Sequence, residues 1–284
     1  MPFVEIDGLS THYAIRGEGP PLLLFSPGGF DARMDQWSSL GVYKRVQPVD
    51  HLERHFTCIL FDRRENGRSG GRVERVTWEA FARQGIGLLD HLGIDRAHLM
   101  GGCMGCCPVA RAAVDHPDRV LSAILFWPVG GAAYRINAFQ RFARHQAFVE
   151  ENGLLAVVDL VRSHDKNFSA DPRGGPWGQP LRDDPAFAAA YARMDVKSYL
   201  LILAGMVRCL FDRDTAPGAE PEDLMRLSLP TLVVPGADAA HATSAARYLG
   251  ECIPGADYWD IPVDRQTAET VPDRLIDFLR SVTP

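Results

Sequence analysis

Apolar residues follow two rhythms along this chain. Over roughly the first 130 positions, short apolar runs alternate with stretches of helical spacing. Phe3–Asp7 and Leu9–Ile15 flank Gly8 and read as a hairpin. Pro21–Ser26, Phe56–Asp62, Ala97–Gly102 and Val120–Val129 are almost continuously apolar, as strands buried on both faces are. Trp78–Leu92 places Trp78, Phe81, Ile86, Leu89 and Leu92 at helical intervals and is stopped by Gly93. Val109–Asp115 reads as another helix, closed by His116-Pro117.

The rhythm then changes. Residues 131–226 contain no short β-like runs and read as helices rich in Ala, Phe and Arg, broken by a Gly/Pro loop at Asp171–Pro180. Strand signals return at Pro230–Pro235 and Tyr258–Pro262, followed by helical stretches at Thr243–Ile253 and Pro272–Val282. Such alternation predicts an α/β fold with a mostly parallel sheet and helices on both faces. Because strands resume at 230 and must rejoin the first sheet, 1–130 and 227–284 are expected to form one core. Residues 131–226 are expected to be a helical cap inserted into it.

Composition narrows the function classes. The chain has 284 residues, 46% hydrophobic and 23% charged, the balance of an ordinary globular protein. A net charge of −6 argues against a nucleic-acid surface. The chain does not open on a signal-peptide pattern, and its longest apolar run, Tyr199–Val207, falls short of the ~20 residues that span a bilayer. Six cysteines are too few for a disulfide scaffold, so free thiols in a reducing cytoplasm are expected. The expected partner is a small-molecule substrate, with no nucleic acid and no membrane; the oligomeric state, a homodimer included, is left open.

Three of those cysteines, Cys103, Cys106 and Cys107, crowd one strand-to-helix junction. The segment Gly101-Gly102-Cys103-Met104-Gly105 has the form Gly-x-Cys-x-Gly. Chemistry at a nucleophile elbow requires this pattern, because the turn is too sharp for large flanking residues. The central side chain projects at a helix N-terminus, where the macrodipole favours a thiolate. The backbone N–H of Met104 would then face a developing oxyanion.

With this motif in place the chain resembles the α/β-hydrolase superfamily over nearly its whole length. The resemblance implies Cys103 as nucleophile in place of the usual serine. It also implies a second oxyanion donor from the amide of Gly29 or Phe30, in the loop Ser26-Pro27-Gly28-Gly29-Phe30. The family segment D-x-R-G-x-G-x-S appears as Asp62-Arg63-Arg64-Glu65-Asn66-Gly67-Arg68-Ser69, with Glu65 replacing a glycine. Asp238, after the PTLVVP run, matches the family's acid. The resemblance breaks at the base: Asp264 occupies the family's histidine position, and no histidine follows His241. A thiol depends on a base less than a hydroxyl does, so a cysteine nucleophile and a missing histidine are mutually consistent.

His241, three residues after Asp238, is the candidate base, with capping of the next helix as its plainer role. His98, His91 and His116 read as structural, His12, His51 and His55 as surface or loop residues, and His145 and His164 as cap residues that could reach a pocket. Glu65, Trp127, Tyr134 and Asp264 are candidate pocket residues, and Glu65 could equally form a structural ion pair. Phe126, Phe139, Phe142, Phe148, Phe168 and Trp177 could line a pocket or pack the cap.

Cys103-Met104-Gly105-Cys106 also has C-x-x-C spacing, but the chain is long for a thioredoxin-like domain. Three thiols without a second cluster do not make a zinc site. The glycine pairs match neither a dinucleotide fingerprint nor a P-loop, so no metal and no cofactor are expected. The expected function is cysteine-dependent hydrolysis or acyl transfer on a small, mostly apolar ester, thioester or lactone. The alternatives are a lyase, cyclase or decarboxylase on the same fold, or an inactive ligand-binding protein.

Overall fold

The computed structural model describes residues 2–283. Eight strands form one sheet in the order β1-β2-β4-β3-β5-β6-β7-β8. They are β1 (Phe3–Ile6), β2 (Leu9–Arg16), β3 (Pro21–Phe25), β4 (Thr57–Phe61), β5 (Ala97–Gly102), β6 (Val120–Phe126), β7 (Thr231–Val234) and β8 (Asp257–Tyr258). The β1–β2 and β2–β4 pairs are antiparallel, and all pairs from β4 to β8 are parallel. The apolar runs are explained by this arrangement. Along β3, Leu23 and Phe25 face one apolar layer while Leu22 and Leu24 face the other.

Helices cover both faces. On one side lie α4 (Trp78–His91), α5 (Cys106–Asp115), α10 (Pro221–Leu224) and α11 (Thr243–Cys252). On the other lie α1 (Gln36–Ser39), α2 (Gly41–Val46), α3 (Pro48–Leu52) and α12 (Thr270–Val282). Thr77 caps α4, its hydroxyl accepting from the Ala80 amide at 3.2 Å.

Between β6 and β7 the described residues form no strand. They form α6 (Ala132–Ser163), α7 (Gly178–Asp183), α8 (Pro185–Ala192) and α9 (Val196–Leu210) before α10. Helix α6 bends where Gly153 adopts φ 77°. These helices build an apolar layer of their own, including Phe142, Trp177, Tyr191 and Tyr199, which meets the sheet domain at Phe81, Met104 and Cys107. Among the described residues, no helix is long and apolar enough to cross a membrane.

Several expected boundaries move. The 171–180 loop contains a 3₁₀ turn at Pro172–Gly174 and the start of α7. The strand expected at Tyr258–Pro262 pairs only through Asp257 and Tyr258. The β6 run stops before Trp127, whose φ of 56° turns the chain out of the sheet. His12 is buried, not at the surface: its Nδ1 lies 2.7 Å from the Asp62 carboxylate.

Candidate active site

The turn from β5 into α5 shows why the Gly-x-Cys-x-Gly spacing matters. Cys103 sits at φ 54°, a left-handed conformation that costs a non-glycine residue about 1–2 kcal/mol. The flanking glycines are required by close approach. A Cβ at Gly101 would lie 2.4 Å from the Gly105 carbonyl oxygen, and one at Gly105 would lie 2.3 Å from that of Phe25. The result lifts the half-buried Cys103 side chain over the C-terminal edge of the parallel strands, the edge where α/β sheets form sites.

The other cysteines are used differently. The Cys106 thiol donates to the Gly101 carbonyl at 3.1 Å and is buried, as is Cys107. Burial pushes both thiols well above the ordinary range. They are inert packing residues, and the C-x-x-C spacing does not give a redox pair of two activated thiols.

His241 lies beside Cys103. Its Nδ1 is 2.8 and 3.0 Å from the two carboxylate oxygens of Asp238. Asp238 also accepts from the backbone N–H groups of Ala240 and His241 itself, at 2.8 and 2.9 Å. Acid and histidine thus come from one tight turn after β7. That turn is fixed to the β6 exit by a bridge between Gly130 and His241. The imidazole packs on Trp127 at a centroid distance of 5.3 Å. Its Nε2 is buried without a completed hydrogen bond and faces the sulfur; such contacts often tighten only when substrate binds.

Electrostatics follow from this contact. Burial pushes the Cys103 thiol up, but the His241 imidazolium and the N–H groups of Gly28 and Met104 outweigh it and leave the thiol below its ordinary value. Burial pulls His241 down, but the thiolate and Asp238 outweigh that and raise it to about 9. Burial likewise raises Asp238, and its bonds to His241 bring it below the usual carboxylate range. The arrangement is a thiol–imidazole contact anchored by a carboxylate, in which each partner favours the charged form of the other.

The N–H of Gly28 is turned on the sulfur, and Gly29, one of the two oxyanion donors the sequence pointed to, lines the same cavity beside it. Gly28 has φ 103°, and a Cβ there would lie 2.7 Å from the Asp31 carbonyl. Phe30 points into the helical layer, packing on Phe142 and Phe168 at 5.4 and 5.5 Å. The segment after β4 holds this loop in place. Asp62 accepts from the Met34 amide at 2.9 Å, and Asn66 Oδ1 from the Ala32 amide at 3.0 Å. Arg63, buried with its guanidinium 4.4 Å above the Phe81 ring, donates to the Gly29 carbonyl.

Cys103, Asp238 and His241 share a cavity of about 430 Å³ with Gly28, Gly29, Met104, Trp127 and Tyr134. Glu65 does not line it. Glu65 is buried at φ 66°, its carboxylate 2.9 Å from Arg64 Nε, and burial raises its pKa against that ion pair. Asp264 is exposed on a 3₁₀ turn outside the cavity. The inward residue of that loop is Gln266, fully buried, which accepts from Trp127 Nε1 at 2.6 Å and donates to the Pro235 carbonyl at 2.7 Å. The loop therefore braces the tryptophan on which His241 rests. Of the remaining aromatic candidates, Phe126 is in the sheet core and Phe139 is exposed. His145 is sealed in the helical layer between Arg173 and Tyr199. Another opening of about 430 Å³, lined by Arg96, Leu121, Asp223 and Pro230, holds none of these groups and lies beneath the opposite strand ends.

Comparison with known proteins bears on the fold. The family model described as alpha/beta hydrolase fold matches residues 21–157. An enol-lactonase from Burkholderia xenovorans LB400 superposes with a TM-score of 0.62 over 98% of this chain and 100% of its own, at 22% identity. The chain has the α/β-hydrolase fold. Among curated relatives, a 2-hydroxy-6-oxo-6-phenylhexa-2,4-dienoate hydrolase of Comamonas testosteroni is 33% identical over 46% of this chain and 44% of its own length. The dihydrolipoyllysine-residue acetyltransferase component of an acetoin cleaving system from Cupriavidus necator is 34% identical over 56% of this chain and 40% of its own. The alignments thus span less than half of either relative.

Proposed function

We propose that this chain is a hydrolase or acyl-transfer enzyme using Cys103 as its nucleophile on a small ester, thioester or lactone. The observation that carries the reading is the contact between Cys103, raised on its strained elbow, and a His241 held by Asp238. A binding protein has no need to spend elbow strain on a thiol and to pair it with an anchored imidazole. Relatives named as hydrolases support hydrolysis as the class of reaction.

In the first half-reaction the Cys103 thiolate attacks the carbonyl carbon, forming a C–S bond and placing the electron pair on oxygen. The N–H groups of Gly28 and Met104 converge at the sulfur and receive that oxyanion. Collapse breaks the bond to the leaving group, which takes the Nε2 proton of His241. The neutral imidazole then accepts a proton from water as the hydroxide equivalent attacks the thioester. Collapse of the second oxyanion returns the thiolate and releases the acid. Asp238 holds His241 in the tautomer with Nε2 facing the sulfur and stabilises each imidazolium stage. The helical insertion acts as a cap that restricts water to the cavity.

Hydrolysis of p-nitrophenyl and thiol esters by the wild type and by Cys103→Ala tests this reading. The wild type turns them over, and the variant loses at least 10³-fold in kcat/KM with an unchanged melting temperature. Equal activity in the two proteins refutes it.

A further inference from the structure

The cavity contains groups that the acyl-transfer chemistry does not use. Tyr134, Asn137 and Arg141 all line it, and all lie on α6. Their spacing of three and then four residues places them on one face of the helix, as a stripe about 10 Å long at 1.5 Å rise per residue. Tyr134 is at the end close to Cys103, and its hydroxyl is buried without a hydrogen-bond partner. Arg141 is at the far end, half-buried, with its guanidinium 5.9 Å from the Phe168 ring centroid. Among the described residues it forms no ion pair. The carboxylates in the same cavity are engaged elsewhere: Asp31 with Arg33 Nε at 2.8 Å, and Asp238 with His241. A half-buried cation without a counter-ion is costly unless a ligand supplies one. The stripe offers hydrogen-bond donors toward the cavity, ending in a fork that matches a carboxylate.

We propose that Arg141, with Asn137 beside it, binds a free carboxylate on the substrate, so that the enzyme acts on small esters, thioesters or lactones bearing an acidic tail. This rests on the reading of Cys103 as nucleophile and changes the expectation of a mostly apolar substrate. The carboxylate docks up to about 10 Å along α6 from the reacting carbonyl. It orients the acyl chain, and Tyr134 donates to an acceptor near the scissile bond.

The test compares mono-p-nitrophenyl glutarate with p-nitrophenyl valerate, two acyl chains of equal length that differ by a terminal carboxylate. The wild type is expected to favour the acidic ester at least tenfold in kcat/KM. In Arg141→Gln the acidic-to-neutral ratio should fall by about tenfold to a hundredfold, the worth of a charge-assisted pair, and Arg141→Lys should restore part of it. A wild type that prefers valerate, or a ratio unmoved by Arg141→Gln, overturns the proposal. If neither ester reacts, the nucleophile reading has failed, and calorimetry with glutarate decides the carboxylate site alone. Glutarate binding weakened at least tenfold in Arg141→Gln supports it; equal binding, or none in the wild type, overturns it.

Discussion

Replacing His241 with alanine removes the cation that faces the Cys103 thiol. Opposite unit charges in contact at about 4 Å, at an effective dielectric near 20, attract by about 4 kcal/mol. Cys103 is half-buried, and screening by solvent reduces the attraction to about 2–3 kcal/mol, about a hundredfold in thiolate population. Burial, which opposes ionisation of Cys103, is left almost unanswered in the variant, with only the Gly28 and Met104 amides still favouring the thiolate. The thiol midpoint should therefore move from below its ordinary value to above it. The assay is the rate of iodoacetamide alkylation between pH 5 and pH 10, read at Cys103 by peptide mapping, since Cys209 and Cys252 are also part-exposed. At neutral pH the variant should react about a hundredfold more slowly. An alkylation midpoint that does not move in His241→Ala would refute the ion-pair argument.

Further outcomes follow from the same geometry. Gln266→Leu should unseat Trp127, and with it His241, lowering kcat about tenfold with little change in melting temperature; steady-state kinetics and calorimetry read the two separately. Gly101→Ala forces a Cβ against the Gly105 carbonyl and should cost about 3 kcal/mol or prevent folding, read by urea unfolding. His145, its Nδ1 donating to the Arg173 carbonyl and its Nε2 accepting from Tyr199, is lowered by burial to about 4. The unfolded state then binds more protons between that value and about pH 6.5. Stability should be full above this window and fall as the solution is acidified through it, by up to about 3 kcal/mol. Unfolding at pH 7 and pH 4.5 should show a smaller difference in His145→Gln.

The parts of the fold that read clearly from sequence are those with a strong period. β3, β4, β5 and β6 are buried on both faces, so their runs are continuous, and Ala97–Gly102 has the same limits in sequence and structure. α1, α2 and α3 are four to six residues long and never complete a periodic face, so they left no signal. In the site, the elbow was legible because its glycines are imposed by backbone contact. The Asp238–His241 spacing was legible because a turn of that length brings both side chains together. The Gly28 amide was not, since the direction of a peptide plane leaves no mark in side-chain type. Nor was the exchange between exposed Asp264 and buried Gln266, because an irregular loop has no period to say which residue faces inward. Arg141 was overlooked because an arginine on a cap helix is ordinarily a solvated one; only its place in the cavity sets it apart.

The central claim is that Cys103 carries the acyl group between the two half-reactions. The most direct measurement is rapid-quench mass spectrometry of the wild type mixed with an activated ester, followed by peptide mapping. The account predicts an adduct of one acyl mass on the peptide containing Cys103, appearing within the first turnover and decaying as acid is released. Product formation at the full rate with no acyl mass on that peptide would contradict it.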